Sequence, residues 1–189
     1  MRVLDLGCGD GQTPQKLGLP LTWQFIGLDA KYASVSEAHV NCPQRPFVCA
    51  RGERLPFAEA SFDRVVSNVA LPYMDIAKTL SESYRILAPG GTLFASLHPV
   101  SFTFAEFRGT FLNPKAFLFR IWVLANGVAF HITGRNFGEA FQTERGVRIA
   151  LERANFSDIS FRQDAKRWMV EAVKPRESQS SRDTSSKAA

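Results

Sequence analysis

The sequence predicts an α/β protein built on a doubly wound, mostly parallel sheet. Two largely apolar runs carry this prediction: residues 3–6 end in a glycine-dense turn, and residues 25–28 end in Asp29. Short runs of this kind are typical of parallel strands that are buried on both faces. A turn, a helix and a strand fit within the roughly twenty residues between the turn and Asp29, as a right-handed crossover between parallel strands requires.

The turn after the first strand has the spacing Gly-x-Gly-x-Gly, at Gly7, Gly9 and Gly11. Because glycine lacks a Cβ, the backbone there can adopt unusual dihedral angles and approach a ligand closely. A carboxylate at the tip of the second strand, Asp29, can accept hydrogen bonds from both hydroxyls of a ribose. The pattern therefore predicts a nucleoside that lies across the strand ends with its sugar on Asp29.

Two features distinguish this turn from one that binds a dinucleotide. Dinucleotide sites have the spacing Gly-x-Gly-x-x-Gly and bind a pyrophosphate at a helix N-terminus. Asp5 lies two residues before Gly7, and its negative charge would repel a pyrophosphate but suit a cation. S-adenosylmethionine carries an ammonium and a sulfonium group, so it is the predicted cofactor, and a nicotinamide-dependent oxidoreductase is disfavoured.

Four groups of residues, in chain order, resemble motifs of the class I S-adenosylmethionine-dependent methyltransferases. They are Val3-Leu4-Asp5-Leu6-Gly7-Cys8-Gly9-Asp10-Gly11, then Gly27-Leu28-Asp29, then Leu55-Pro56-Phe57 with Ser61-Phe62-Asp63-Arg64-Val65-Val66-Ser67-Asn68, and finally Arg85-Ile86-Leu87-Ala88-Pro89-Gly90-Gly91. The resemblance is closest to the small-molecule branch that includes quinone-biosynthesis C-methyltransferases. It implies a Rossmann-like sheet of seven strands with an antiparallel C-terminal hairpin. Family members usually carry one or two helices before the first strand, and these N-terminal helices are missing here.

The elements follow from apolar runs and the residues that interrupt them. Thr13-Pro14 predicts the start of a short helix, with Thr as N-cap and Pro in the first helical position. Ile76, Leu80 and Tyr84 fall on one face of a later amphipathic helix, and Pro89-Gly90-Gly91 predicts a sharp turn. The expected strands are 2–6, 23–28, 46–49, 62–67, 92–97, 156–162 and 167–174, and the expected longer helices are 30–40, 75–87 and 143–154.

The resemblance implies a cofactor site at the carboxyl ends of the strands. Asp5 would support the methionine end of the cofactor, and Asp29 would hold the ribose. Many family members have an Asp that contacts adenine where this chain has Arg51, so backbone groups at Gly52 and Glu53 are the expected alternative. The predicted cofactor-binding residues are Asp5, Gly7, Cys8, Gly9, Gly11, Asp29, Ala30, Gly52, Glu53 and Asn68.

Two residues are candidate general bases. His98 directly follows the predicted fifth strand, at the mouth of the cleft, where a base could act; a surface or capping histidine before Pro99 is the alternative. Tyr73 is the second candidate. A base is needed only if the acceptor must lose a proton, since the sulfonium already activates the methyl carbon. The cysteines lack metal-ligand spacing, so no metal site is expected.

Aromatic and basic side chains crowd into residues 100–140. In the resembled family this region commonly forms the acceptor pocket, so an aromatic cover that excludes water and holds a small, flat or apolar acceptor is expected. Alternatively, these aromatic side chains form the ordinary hydrophobic core of an inserted helical segment. Aromatics mixed with arginine can also stack RNA bases, but no nucleic-acid-binding module is recognisable in the sequence.

Length and composition indicate one domain, residues 1–174, followed by a polar tail, residues 175–189, that is expected to be disordered. The net charge of +5 would attract anionic substrates, nucleic acid or membrane surfaces, or it serves only to keep the protein soluble. Cys8, Cys42 and Cys49 are odd in number and no signal peptide is recognisable, so reduced thiols in a cytoplasmic protein are expected.

The apolar stretch 117–132 is interrupted by Arg120, Asn126 and Gly127, so it is expected to be too short and too polar to span a membrane. The predicted function is methyl transfer from S-adenosylmethionine to a small, partly apolar or aromatic acceptor, at oxygen, nitrogen or carbon. The alternative is a catalytically inactive module that binds S-adenosylmethionine and acts as a regulatory or partner subunit.

Overall fold

The computed structural model describes residues 1–16, 20, 22–97, 114–163 and 168–176. Within these ranges, strands and helices alternate along the first half of the chain. The strands are β1 (Arg2–Leu6), β2 (Gln24–Asp29), β3 (Phe47–Cys49), β4 (Phe62–Asn68), β5 (Leu87–Leu97), β6 (Ser157–Gln163) and β7 (Trp168–Val173). The helices are α1 (Thr13–Lys16), α2 (Tyr32–Asn41), the 3-10 turn Leu71–Tyr73, α3 (Ile76–Ile86), α4 (Pro114–Thr133) and α5 (Glu144–Arg153).

All seven strands form one sheet, in the order β3-β2-β1-β4-β5-β7-β6. The first five are parallel, and β7 runs antiparallel to both β5 and β6. The predicted sheet, mostly parallel with an antiparallel C-terminal pair, is therefore confirmed. The strand order reverses between the neighbours β1 and β4, and open sheets of this kind bind ligands beyond the strand ends at such a point.

The core lies on both faces of the sheet. Side chains of a strand alternate between the faces, so Leu4 and Leu6 join the larger apolar cluster, which contains residues of α3 and α5. Val3 joins the smaller cluster, which contains Val35 and Ala38 of α2. By the same alternation Asp5 shares the face of Val3, where it is fully buried.

The start of β5 was predicted wrongly. A turn was expected at Pro89-Gly90-Gly91, with the strand beginning at residue 92, but β5 already begins at Leu87. The pairing with β4 jumps between Leu87 and Thr92, so the segment bulges away from that neighbour. On the other side, the Gly90 N–H donates to the Lys174 carbonyl (2.8 Å), and the Lys174 N–H donates to the Gly91 carbonyl (2.9 Å). These bonds keep the segment in the sheet.

The second half of the aromatic-rich region is α4, a helix of 20 residues, and residues 98–113 lie outside the described residues. By length and composition alone, Lys115–Thr133 could cross a membrane, so the expectation that this stretch is too short and too polar is not confirmed. One such helix is weak evidence for a span, because core helices and signal sequences pass the same test. Val123 and Phe130 of α4 are buried in the domain, although only 22% of the most apolar window is buried.

Candidate functional site

Four strand ends and the loops that follow them lie side by side at the carboxyl edge of the sheet. The loop after β1 is fixed to β2 by two hydrogen bonds, in which the N–H groups of Gly7 (2.7 Å) and Cys8 (3.0 Å) donate to the Leu28 carbonyl. The segment after β3 is fixed in turn, since the Ala50 N–H donates to the Asp29 carbonyl (3.0 Å). The edge therefore has one continuous rim from β3 to β4.

The three glycines of the loop have different surroundings, although all have a positive φ (77°, 54° and 78°). A Cβ at Gly7 would overlap the Cβ of Ala70, and one at Gly11 would lie 2.8 Å from the Cβ of Ala38. Gly7 and Gly11 therefore allow close packing within the protein. A Cβ at Gly9 would have nothing within 4 Å, so among the three only Gly9 faces open space.

Asp29 holds this loop by its side chain. One carboxylate oxygen accepts a hydrogen bond from the Gly9 N–H (3.0 Å), and the other accepts one from the Lys31 N–H (2.8 Å). A carboxylate offers about four lone-pair positions, so capacity remains for two further donors. The group is thus pre-oriented at the strand tip beside the open space at Gly9.

Asp5 is a buried carboxylate without compensation. It is 0% exposed, and neither oxygen has a hydrogen-bond partner among the described residues. Burial raises the pKa of Asp5 to about 7; the nearby Thr13 hydroxyl opposes the shift without reaching hydrogen-bond geometry, and the charge of Asp29 adds to it. An unpaired buried charge is costly, so a cationic group that reaches Asp5 would be stabilised there.

Cys8 and Ala30 complete the rim around the two acids. Burial, with added effects from the charges of Asp5 and Asp29, raises the pKa of the Cys8 thiol to about 12, so this thiol is neutral and a poor nucleophile at physiological pH. Ala30 is exposed, and its carbonyl lies 3.7 Å from the Cys49 sulfur. All three cysteines are free thiols.

Glu53 is engaged within the protein. Its carboxylate accepts a hydrogen bond from the Asp75 N–H (3.1 Å) and lies 3.4 Å from the Arg51 guanidinium. Partial burial acts to raise the pKa of Glu53, but these contacts outweigh it and leave the pKa below its ordinary value. The side chain therefore links the loop after β3 to the start of α3, while Gly52 is buried beside Met74.

Asn68 lies at the carboxyl end of β4, where its side-chain oxygen accepts a hydrogen bond from the Ser96 hydroxyl (2.7 Å). The next residue, Val69, has φ = 59°, which is strained for a β-branched side chain and typical of functional sites. Tyr73 is 59% exposed at the end of the 3-10 turn. His98 lies outside the described residues. The exposure of Tyr73 does not test its role, so both proposed bases stay predictions.

Sequence reasoning missed Asn136, which is 3% exposed. Its side-chain oxygen accepts from the Ile76 N–H (2.9 Å), and its amide donates to the carbonyls of Met74 (2.7 Å) and Gly138 (2.6 Å). The Met74 side chain in turn packs beside both Gly7 and Gly52. Asn136 therefore joins the segment after α4 to the floor of the rim. An Asn with a glycine on either side, two residues away, is typical of a surface turn, so no local pattern indicates this role.

We expect Asn136→Asp to destabilise the protein by about 1–3 kcal/mol, because a carboxylate cannot donate to the Met74 and Gly138 carbonyls. For a chain of this size that corresponds to a melting temperature lower by roughly 2–12 °C. Thermal unfolding measures the effect, and the corresponding amide-to-acid change at the exposed Gln44, Gln44→Glu, is the control. Equal melting temperatures for both variants would contradict the role of Asn136.

The geometry fits a nucleoside that carries a positive charge. Asp5 offers an uncompensated buried carboxylate, Gly9 opens a space that a side chain would fill, and Asp29 is oriented at its edge. Among the described residues, no three His, Cys, Asp or Glu side chains are placed to hold a metal ion.

Comparison with known proteins agrees with this geometry. Residues 4–95 match the family model described as "Methyltransferase domain". An uncharacterized methyltransferase of Synechocystis is 38% identical over 135 residues, which are 66% of this chain and 60% of that protein. A demethylmenaquinone methyltransferase of Beutenbergia cavernae is 28% identical, over 85% of this chain and 68% of that protein. The chain thus spans less than two thirds of the Synechocystis relative.

Solved structures share the fold. An S-adenosylmethionine-dependent methyltransferase of Methanosarcina mazei superimposes with a TM-score of 0.64 at 17% identity, over 93% of each chain. At that identity the likeness concerns the fold alone. The family match, the strand order and the glycine loop with its two acids together lead to one conclusion: residues 4–95 of this chain form a methyltransferase domain with the class I S-adenosylmethionine-dependent fold.

Proposed function

We propose that this chain transfers the methyl group of S-adenosylmethionine to a small, partly apolar or aromatic acceptor. Two observations carry the proposal: the open space at Gly9, whose N–H donates to the Asp29 carboxylate, and the buried, unpaired carboxylate of Asp5 in the strand that leads into this loop. Neither feature serves the packing of the fold, since the space is empty of protein atoms and the unpaired carboxylate is costly.

In this proposal, different residues bind different parts of the cofactor. Asp29 accepts hydrogen bonds from the ribose hydroxyls with the lone pairs that its two backbone bonds leave unused. Asp5 offsets the positive charge of the methionine end. Gly7 and Gly11 shape the loop, Gly9 admits close contact, and Cys8, Ala30, Gly52, Glu53 and Asn68 line the flanks. We assign Glu53 a backbone contact only, because its carboxylate is directed at the Asp75 N–H and the Arg51 guanidinium.

When bound, S-adenosylmethionine supplies a methyl carbon that its sulfonium has already activated. The chain then has to bring an acceptor atom into line with that carbon and to exclude water, which accounts for large rate enhancements without an elaborate set of catalytic side chains. Tyr73 or His98 would remove a proton only from an acceptor that must lose one in order to attack.

The acceptor class is inferred from the surroundings of the site. Asn136 attaches the segment after α4 to the rim, and α4 itself is rich in aromatic and aliphatic side chains. An apolar helix that is attached to the rim in this way suits a flat or hydrophobic acceptor. The name of the Beutenbergia relative, a demethylmenaquinone methyltransferase, supports the same class.

A titration with S-adenosylhomocysteine, followed by a methyl-transfer assay over a panel of quinols, phenols and fatty acids, tests the proposal. Binding with methylation of at least one panel member supports it. Binding without turnover on any of them would favour the inactive regulatory module, for which the exchange of an adenine-contacting acid for Arg51 is the supporting observation. Absence of binding would contradict both functions.

Asp29→Ala is expected to weaken S-adenosylhomocysteine binding by at least about tenfold, or 1.4 kcal/mol. The variant loses the charge-assisted contact to the ribose and also the hydrogen bonds that hold Gly9 and Lys31. Isothermal titration calorimetry measures the change. Glu152→Ala removes an exposed carboxylate on α5 and is the control, and unchanged affinity in Asp29→Ala would rule out the assigned pose.

A further inference from the structure

One side of α4 presents large apolar side chains to solvent. They fall on one helix face, at positions i, i+3, i+4, i+10 and i+14, and they are 43–67% exposed. We call this set the apolar stripe: Leu118, Ile121, Trp122, Val128 and Ile132. At 1.5 Å per residue it runs for about 21 Å along the helix. Contiguous exposed apolar surface of this extent marks an interaction site in soluble proteins.

The opposite side of α4 is held in the domain. Val123 and Phe130 are 1% and 0% exposed. Asn126 is also buried, and it accepts a hydrogen bond from the Phe137 N–H (2.9 Å) while donating to the Glu139 carbonyl (2.9 Å). A helix fixed in this way cannot be surrounded by lipid. The helix therefore does not pass through a bilayer. A partner that covers the apolar stripe must lie along the side of the helix.

Charge distinguishes between the partners that could cover the stripe. Residues 114–135 include three basic residues and no acidic residue. Lys115 is exposed at the first turn of α4, and Arg135 is exposed just after its last turn. Basic residues at the ends of an apolar face that contains Trp are typical of helices that lie in the interface of anionic membranes. A second copy of the chain would instead bring two net charges of +5 together.

We propose that the apolar stripe docks on the surface of an anionic lipid bilayer. Trp122 would lie at the level of the headgroups with Phe119, whose ring stacks on it at 5.9 Å between centroids. Lys115 and Arg135 would contact lipid phosphates. Asn136 connects the segment after α4 to the rim of the cofactor site, so docking brings that rim near the bilayer. Delivery of an apolar acceptor from the lipid would rest on the proposed function, whereas the docking itself does not.

Cosedimentation with vesicles tests the proposal without any enzymatic assay. We expect binding to vesicles of phosphatidylcholine mixed with phosphatidylglycerol, weaker binding to phosphatidylcholine alone, and loss of binding in high salt. In a Trp23→Phe, Trp168→Phe background, the remaining fluorescence of Trp122 should shift to the blue on binding. Combining Ile121→Glu with Val128→Glu should lower the partition coefficient at least about tenfold, because two charges then face the lipid.

Val40→Glu is the matched control, since Val40 is 79% exposed on α2, away from the stripe. It should bind vesicles as the unmodified chain does. Three results would overturn the proposal: no cosedimentation with anionic vesicles, equal binding by the stripe variant, or a stable dimer in light scattering that the stripe variant dissociates. The last result would identify the stripe as an interface between copies of the chain.

Discussion

Gly9→Leu is expected to lower the affinity for S-adenosylhomocysteine by at least about a hundredfold, or 2.7 kcal/mol. The substituted side chain would enter the open space beside Asp29 and Asp5, which has no protein atom within 4 Å of the Cβ position. The positive φ of Gly9 adds about 1–2 kcal/mol of backbone strain, which the fold can tolerate. Calorimetry and thermal unfolding of the same preparation separate the two effects.

The neighbouring glycines provide matched controls for this prediction. At Gly7 a Cβ would overlap Ala70, and at Gly11 it would lie 2.8 Å from Ala38, so Leu at either position should reduce stability more than it does at Gly9. The expected pattern at Gly9 alone is a loss of binding with a melting temperature lowered only by the roughly 2–8 °C that the backbone strain accounts for. If Gly9→Leu still binds S-adenosylhomocysteine normally, the cofactor does not occupy this space.

The different surroundings of Gly9 and of the glycines at positions 7 and 11 show how much of the site could be predicted from the sequence. The spacing Gly-x-Gly-x-Gly and the acid twenty residues further on were enough to place a loop and Asp29 at adjacent strand ends, because strand length and crossover length are fixed by backbone geometry. Which of the three glycines faces a ligand depends on Ala38 and Ala70, which are distant in the sequence. No local pattern contains that information.

The same distinction applies to the fold. The strand positions followed from apolar runs, and the family resemblance implied the sheet of seven strands with its antiparallel pair. The N-caps of α3 and α5, Asp75 and Thr143, lie one residue before the helices that the structure shows. The start of β5 was predicted wrongly because backbone hydrogen bonds with Lys174, on a distant segment, hold Gly90 and Gly91 in the sheet. Asn136 was missed for the same reason, since its partners lie about sixty residues away.

Asp5→Asn is expected to stabilise the protein without cofactor, and the effect should depend on pH. The pKa of Asp5 is raised to about 7 in the folded state, chiefly by burial, whereas in the unfolded chain it is about 3.9. Between these values only the folded state holds the proton. The contribution of this group to stability is therefore complete below about pH 4 and is lost as the pH rises to 7.

The loss amounts to about three pKa units, or roughly 4 kcal/mol as an upper value. Asn does not titrate, so Asp5→Asn should unfold at a higher temperature than the unmodified chain at pH 8, by up to roughly 16 °C. The difference should vanish near pH 4. Thermal unfolding from pH 4 to 8 measures it, and Asp158→Asn, at an exposed position on β6, should show none of this dependence.

Cofactor binding should change in the opposite direction. Only the ionised carboxylate attracts the ammonium group of the amino-acid end, which S-adenosylhomocysteine keeps although it lacks the sulfonium, so binding to the unmodified chain should strengthen as the pH rises through 7. Asp5→Asn should bind S-adenosylhomocysteine at least about tenfold more weakly at pH 8 and should lose that pH dependence. The unpaired acid thus lowers the stability of the empty domain and raises its affinity for a cation. A variant that is stabilised but still binds normally would show that Asp5 does not face the cofactor.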